Sequence, residues 1–407
     1  MHQMRPFIAI AIGVLILLAF SLIQGCSALN SAGRRTVTLP PSKERRIVEA
    51  RFDANGTLEL VTTEKQGDSS LLRLIRCDQG GAVQNVRSLA LEDGCWKVRA
   101  FPMAGSMTVG WLDRHGNLWL CRDSGDELVP RLALEDPGAP AWTSVDWWLL
   151  EVRGSLSIFV LRGEPIPNPK SFSDVEGEVR VLSWYTFQNG LPEMLAKIKV
   201  AREPHDCAWH ECGGGEKGAF VWQTVGAPGP PLSLSPGQVN PRVDVRTVRF
   251  AKLGASDSPK WQEVYMGNGP LRLLVEATCG SLALIGEWKN PQDGAGIYTL
   301  IDAESGRLFP VAADGGFSST VRLCVAKKRG GTLTVVVAVK NPSQDINVTR
   351  LDETYRIVDI AKVNAKGAID YQVAGRGDEI YVVLLLEDGI KTVRLPEVVQ
   401  VRREKAR

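Results

Sequence analysis

Between Ile47 and Val401 the chain is a succession of short apolar runs, each closed within a few residues by Gly, Asp, Asn or Pro. Clear runs are Thr57 to Thr62, Ser106 to Leu112, Asn117 to Cys121, Ser155 to Leu161, Val179 to Phe187 and Val243 to Phe250. Later ones are Leu271 to Thr278, Ser281 to Trp288, Gly296 to Ile301, Val321 to Lys327, Thr332 to Val339, Glu379 to Leu386 and Ile390 to Leu395. Runs of this length, rich in Val, Leu, Ile, Trp and Thr, read as strands. No stretch holds a helical apolar period for more than two turns, and the best helix candidate, Leu191 to Val200, is short. The chain is therefore nearly all β, and its 40 Gly and 23 Pro supply frequent turns.

One turn signature recurs. Phe52-Asp53-Ala54-Asn55-Gly56-Thr57-Leu58-Glu59-Leu60 matches Leu112-Asp113-Arg114-His115-Gly116-Asn117-Leu118-Trp119-Leu120. Ile301 to Leu308 is a third copy with one inserted residue. The physics is that of a hairpin: Asp closes the turn with its side chain, Gly takes a positive φ, and the next strand begins. Tandem hairpins of this kind resemble the blades of β-propellers, and Asp113 to Trp119 fits the families whose turn reads D-x-x-G-x-L-W. Residues 47–401, divided into blades of about 45–60 residues, give roughly six to eight blades, with seven as the central value. The expected fold is all-β, a single seven-bladed β-propeller. The alternative is two or three tandem β-sandwiches, but no long internal linker supports such a cut. Many propellers close their ring with an N-terminal strand in the last blade. The resemblance thus implies that Ile47 to Phe52, or the strand just after it, lies in one sheet with Tyr381 to Leu395.

The N-terminus has a short start with one positive charge, Arg5, and an almost unbroken apolar run from Phe7 to Ile23. Gln24, Gly25 and Cys26 follow. This is the layout of an export signal. Ile23-Gln24-Gly25-Cys26 resembles the lipobox of bacterial lipoproteins. That resemblance implies cleavage before Cys26, acylation (palmitate) of Cys26, and anchoring to the lipid bilayer. Ser27 after the cysteine implies outer-membrane sorting in a Gram-negative cell. An uncleaved anchor is the alternative, although the apolar run is at the short limit for a span; both readings export the bulk of the chain. The expected organisation is a signal peptide at 1–25, a lipidated tether at 26–46, a propeller at 47–401 and a charged tail at 402–407.

Charge excludes one class of partner. Lys and Arg total 48 against 46 Asp and Glu, a formal net charge of +2, so there is no basic field for nucleic acid. Apart from Cys26, seven cysteines remain. Cys77, Cys121, Cys279 and Cys324 lie in strand-like runs and read as small core residues. Cys207 and Cys212 are the nearest pair and the expected disulfide, since export favours such bonds.

The densest chemistry is His205-Asp206-Cys207-Ala208-Trp209-His210-Glu211-Cys212. Imidazole and thiolate suit zinc or copper, which makes His205, Cys207, His210 and Cys212 a candidate metal set. The spacing is tight for one tetrahedral ion, so a loop closed by a Cys207–Cys212 disulfide is the simpler reading. Gly213 to Gly218 formally contains G-x-G-x-x-G, but a strand rather than a helix follows it, so it reads as a loop. Three loop segments are expected at 163–177, 202–218 and 226–241. Of Trp147 and Trp148, adjacent and therefore on opposite faces of a strand, one should pack the core and the other reach a surface.

No nucleophile elbow, zinc-protease motif, Walker loop or EF-hand occurs. The expectation is a membrane-anchored exported propeller serving as a binding or assembly module in the cell envelope, for a protein or glycan ligand and with no cofactor. The alternatives are an envelope hydrolase acting on glycans or peptides, and a metal-binding or redox module at His205 to Cys212. A catalytic carboxylate pair cannot be chosen from spacing, because in a propeller its members come from different blades.

Overall fold

The computed structural model describes residues 37–396 except for segments 92–94, 104–105, 124–127, 136–145, 166–177, 189–190, 204–206, 217, 229–231, 234–238, 241–242, 255–258, 267–271, 289–295, 316–320, 328–332 and 341–344. Seven antiparallel sheets follow one another along the chain. Blade one is β1 (Arg45–Phe52), β2 (Leu58–Gln66), β3 (Ser69–Cys77) and β4 (Val83–Leu91). Blade two is β5 (Trp96–Met103), β6 (Ser106–Leu112), β7 (Leu118–Asp123) and β8 (Leu128–Leu134). Blade three is β9 (Asp146–Val152), β10 (Ser155–Pro165), β11 (Glu178–Gln188) and β12 (Leu191–Glu203). Blade four begins with β13 (Cys207–Gly215) and β14 (Gly218–Pro228); a small hairpin, β15 (Leu232–Ser233) and β16 (Val239–Asn240), precedes its β17 (Val243–Lys252) and β18 (Gln262–Met266). Blade five is β19 (Arg272–Cys279), β20 (Leu282–Trp288), β21 (Gly296–Asp302) and β22 (Arg307–Gly315). Blade six is β23 (Val321–Lys327), β24 (Leu333–Lys340), β25 (Asp345–Leu351) and β26 (Ile357–Asn364). Blade seven has three strands, β27 (Ala368–Arg376), β28 (Glu379–Leu386) and β29 (Ile390–Arg394).

The first strands of successive blades lie side by side in the order β1, β5, β9, β13, β19, β23, β27, and β27 meets β1 again. The sheets therefore form a closed seven-bladed β-propeller, as expected. Seven apolar clusters fill the seven spaces between neighbouring blades. A middle strand is buried on both faces, which is why its sequence is a continuous apolar run rather than an alternation. Val335 packs toward blade five while Val336 packs toward blade seven. Trp147 and Trp148 behave in the same way and correct the expected surface role: they are 0% and 2% exposed, one facing blade two and the other blade four. Leu191 to Val200 is also corrected, since it lies within β12, paired along its length with β11.

The recurring turns form as their chemistry demands. Asp113 Oδ1 accepts from the backbone N–H groups of His115 and Asn117 at 2.8 and 3.0 Å, and Gly116 sits at φ +82°. Asp53 Oδ1 does the same for Asn55 and Thr57, with Gly56 at φ +80°.

Ring closure differs from the expectation. Among the described residues β1 pairs with β2 alone, and no N-terminal strand joins the sheet of β28 and β29. The segment before β1 occupies the seam instead. Val37 N–H donates to Val83 O in blade one, and Ser42 N–H donates to Glu387 O in blade seven, both at 2.9 Å. Between these anchors Leu39 is 1% exposed, in the cluster that joins Ile47, Leu58 and Leu60 to Ala374, Val383 and Leu385. Ile47 N–H donates to the Asp370 carboxylate at 2.8 Å, and Phe52 lies 4.8 Å from the Tyr381 ring. Side chains thus hold a seam where a strand pair was expected, and residues 37–44, read from sequence as part of a tether, are docked structure.

Candidate functional site

The seven first strands enclose an axial cavity of about 700 Å³, and every one of them contributes to its wall. Two charged groupings reach its wall, one through Arg99 and Glu211, the other through Glu49.

The first spans blades two, three and four. Lys97 and Arg99, two positions apart on β5, reach Asp146 at the start of β9 at 2.9 and 3.1 Å. Arg99 also lies 3.5 Å from Glu211 on β13, and its guanidinium stands 5.1 Å from the Trp148 ring centroid. Trp148 Nε1–H donates to the same Glu211 oxygen at 2.6 Å. Burial raises the Glu211 pKa and Asp146 adds to the rise, while Arg99, Trp148 and Lys97 act against it. Burial works against the charge on Arg99, but Glu211 and Asp146 outweigh it and hold the guanidinium protonated.

The second grouping is centred on Glu49 in β1. One of its oxygens accepts from Ala50 N–H at 2.9 Å, and no cation lies within ion-pair distance of it among the described residues. The nearby cations are committed elsewhere. Arg322 turns to Asp370 at 3.3 Å and to Tyr371 O at 3.2 Å, and Arg51 pairs with Glu59 at 2.7 Å. Burial pushes the Glu49 carboxyl up to about 7, against the opposing pull of Ala50 N–H, Arg322 and Arg51. Cys279 and Cys324, on neighbouring β19 and β23, share this wall. Burial pushes Cys279 up to about 11 and raises Cys324 further, and the Glu49 charge adds to both.

A carboxyl raised from 4.5 to about 7 makes the fold favour the protonated form. Its stabilising contribution is complete below the unfolded value and is lost as pH rises through 7. Glu49→Gln keeps the shape and removes the charge. The variant is therefore expected to match the parent at pH 4.5 and to exceed it by about 1–3 kcal/mol at pH 8. Thermal melts at the two pH values check this, and equal melting temperatures at pH 8 would refute the burial of that charge.

The residues singled out from sequence fare unevenly. Cys26 and His205 lie outside the described residues, as do the side chains of Cys207 and His210, whose backbone is in β13. The segment is a strand rather than the expected loop, paired with β14 from Cys207↔Gly226 to Gly215↔Gly218. The Cys207–Cys212 disulfide is corrected: Cys212 is a free, buried thiol. Five residues of extended chain place the two α-carbons about 16 Å apart, far beyond the roughly 7 Å limit of a disulfide. Among the described residues, no three His, Cys, Asp or Glu side chains are grouped to hold a metal ion.

The glycine run has a packing cause. A Cβ on Gly213 would run into the Gly280 carbonyl of blade five, and one on Gly214 would lie 2.7 Å from the Glu151 carbonyl of blade three. The run lets three inner strands approach, and Gly218 opens β14 instead of a phosphate-binding helix. Glu49 escaped sequence reasoning because its setting is assembled by β19, β23 and β27, more than 200 residues away. Its one local signal was an acid among the apolar residues of the first strand.

No family model matches the chain, and no curated protein does. Solved structures do resemble it. The WD40 domain of coronin from Toxoplasma gondii is 9% identical, with a TM-score of 0.49 over 90% of both chains. A puromycin-hydrolyzing peptidase from Mycobacterium tuberculosis is 12% identical, with a TM-score of 0.47 over 91% of this chain and 56% of its own. Prolyl oligopeptidase B from Galerina marginata is 10% identical, with a TM-score of 0.45 over 79% of this chain. The chain spans 42% of the length of that oligopeptidase.

Proposed function

We propose that this protein is an exported bacterial lipoprotein, held to the envelope membrane by acylated Cys26, whose propeller captures a ligand in its axial cavity. The observation that carries the binding role is the cavity itself: about 700 Å³, walled by all seven blades, with Glu49 facing it free of any counter-ion among the described residues. That volume lies in the range of small-molecule sites. The anchoring role rests on Ile23-Gln24-Gly25-Cys26 after the apolar run. Several acyl chains on one cysteine hold far better than one, since each buried methylene adds about 0.8 kcal/mol. The backbone between Cys26 and the docked Val37 spans at most roughly 40 Å, so the seam between blades one and seven stays near the bilayer.

Cys26→Ser is the direct test of the anchor. Incorporation of labelled palmitate should fall to background, and the protein should leave the membrane fraction. Label retained by the variant refutes the lipobox.

A second reading, an envelope hydrolase, draws on Glu49 and Glu211, two carboxyls raised by burial on one cavity. Raised carboxyls suit general acid catalysis. Glu211, however, is held by Trp148 and faces Arg99, which suits positioning better than proton transfer. Turnover of peptide or glycan substrates that disappears in Glu49→Gln would favour this reading over capture.

A further inference from the structure

We propose that the axial cavity takes a small organic ammonium ligand, whose cationic head is received by the Glu49 carboxylate. This rests on the capture role proposed above and names its ligand class.

Each described cation on the cavity wall already has a carboxylate: Arg99 has Asp146 and Glu211, Arg322 has Asp370, and Arg51 has Glu59. An incoming carboxylate or phosphate would have to take one of those arginines from its partner. Glu49 stands apart, with a backbone N–H on one oxygen and no ion pair among the described residues. A ligand ammonium would supply the missing counter-charge where water is partly excluded and the attraction is strong.

The wall beside it fits an aliphatic body. Ala100, Leu150 and Val325 line the same cavity, and the thiols of Cys279 and Cys324 are kept neutral by burial. The groups that interact with Glu49 are Arg51 on its own strand, Arg322 and Cys324 on β23, and Cys279 on β19. The two thiols stay neutral between pH 6 and 8, while an alkylammonium of pKa about 10 remains cationic. Over that range the proton on Glu49 is the competitor, and binding must expel it.

The experiment uses the full chain in a neutral detergent, with n-pentylamine and its neutral isostere n-pentanol as probes, read by calorimetry or ligand-observed NMR. Nα-acetyl-lysine amide forms a further arm, which separates a free amine from a lysine side chain as the source of the ammonium. At pH 8 pentylamine should bind at least tenfold more tightly than pentanol. Its dissociation constant should rise about tenfold by pH 6, as expected for competition with one proton at a site of pKa near 7. Glu49→Gln should abolish both the preference and the pH dependence and leave pentanol binding unchanged. Ala100→Phe, which narrows the cavity from β5, should weaken both probes together.

Equal binding of amine and alcohol, or an amine preference that survives Glu49→Gln, overturns the ammonium assignment while leaving capture standing. If no probe binds the parent protein at any pH, capture in the cavity falls as well.

Discussion

Leu39→Ala is expected to lower the free energy of unfolding by about 2–5 kcal/mol, the usual cost of emptying a fully buried leucine site. Position alone would suggest otherwise, since Leu39 precedes the first strand and lies in a stretch with two adjacent prolines. In the structure it is 1% exposed and touches the cluster that fuses the first blade to the last. Among the described residues no strand pairing crosses the seam, so side-chain burial and a few hydrogen bonds hold it. Those bonds, Val37 to Val83 and Ser42 to Glu387, also order the segment that carries Leu39. Loss of the side chain therefore removes contact from both blades at once, and the segment has less reason to stay docked. A denaturant titration measures the effect as a lower midpoint. A change within about 0.5 kcal/mol, typical of surface positions, would show that residues 37–44 are dispensable to the ring.

The strands and the number of blades were legible because their causes are local. A run such as Thr334 to Val339 must be buried on both faces, and only stacked sheets offer that. Asp113 with Gly116 writes a hairpin in a few residues. The phase of the blades was not legible from those turns: the copies join β1 to β2, β6 to β7 and β21 to β22, three different positions within a blade. Closure was illegible for a related reason. The sequence of β1 shows that it is a strand, but not which edge it offers, and among the described residues only β2 takes it as a partner. Cys207 to Cys212 misled through proximity: residues near in sequence are kept apart once the segment is extended, whereas Arg99, Asp146 and Glu211, from three blades, meet.

The buried charges of blade one make the second large prediction. Arg45 is 0% exposed, and its guanidinium bonds Glu64 at 3.0 Å and Pro40 O at 2.7 Å. Arg73 on β3 holds the same Glu64 oxygen. Burial works against the Glu64 charge, but Arg73 and Arg45 outweigh it and hold the carboxyl below its ordinary pKa. Glu64→Ala would strand two arginines with no carboxylate, one of them already carrying a buried Nη1 without an acceptor. Breaking a buried pair from one side costs about 3–5 kcal/mol, so the variant should be among the least stable point mutants of this blade. The sign with pH is opposite to that of Glu49. A lowered folded pKa gives stability that is present above pH 4.5 and is lost as pH falls through the folded value. Acid should therefore weaken the parent protein here but not Glu64→Ala. Arg45 also links this trio to the segment carrying Leu39 through Pro40, so the two substitutions share a partner and should not add. A double-mutant cycle of Leu39→Ala and Glu64→Ala in urea should give a coupling of at least about 0.5 kcal/mol. Strict additivity would mean that the seam and the buried charges of blade one are independent.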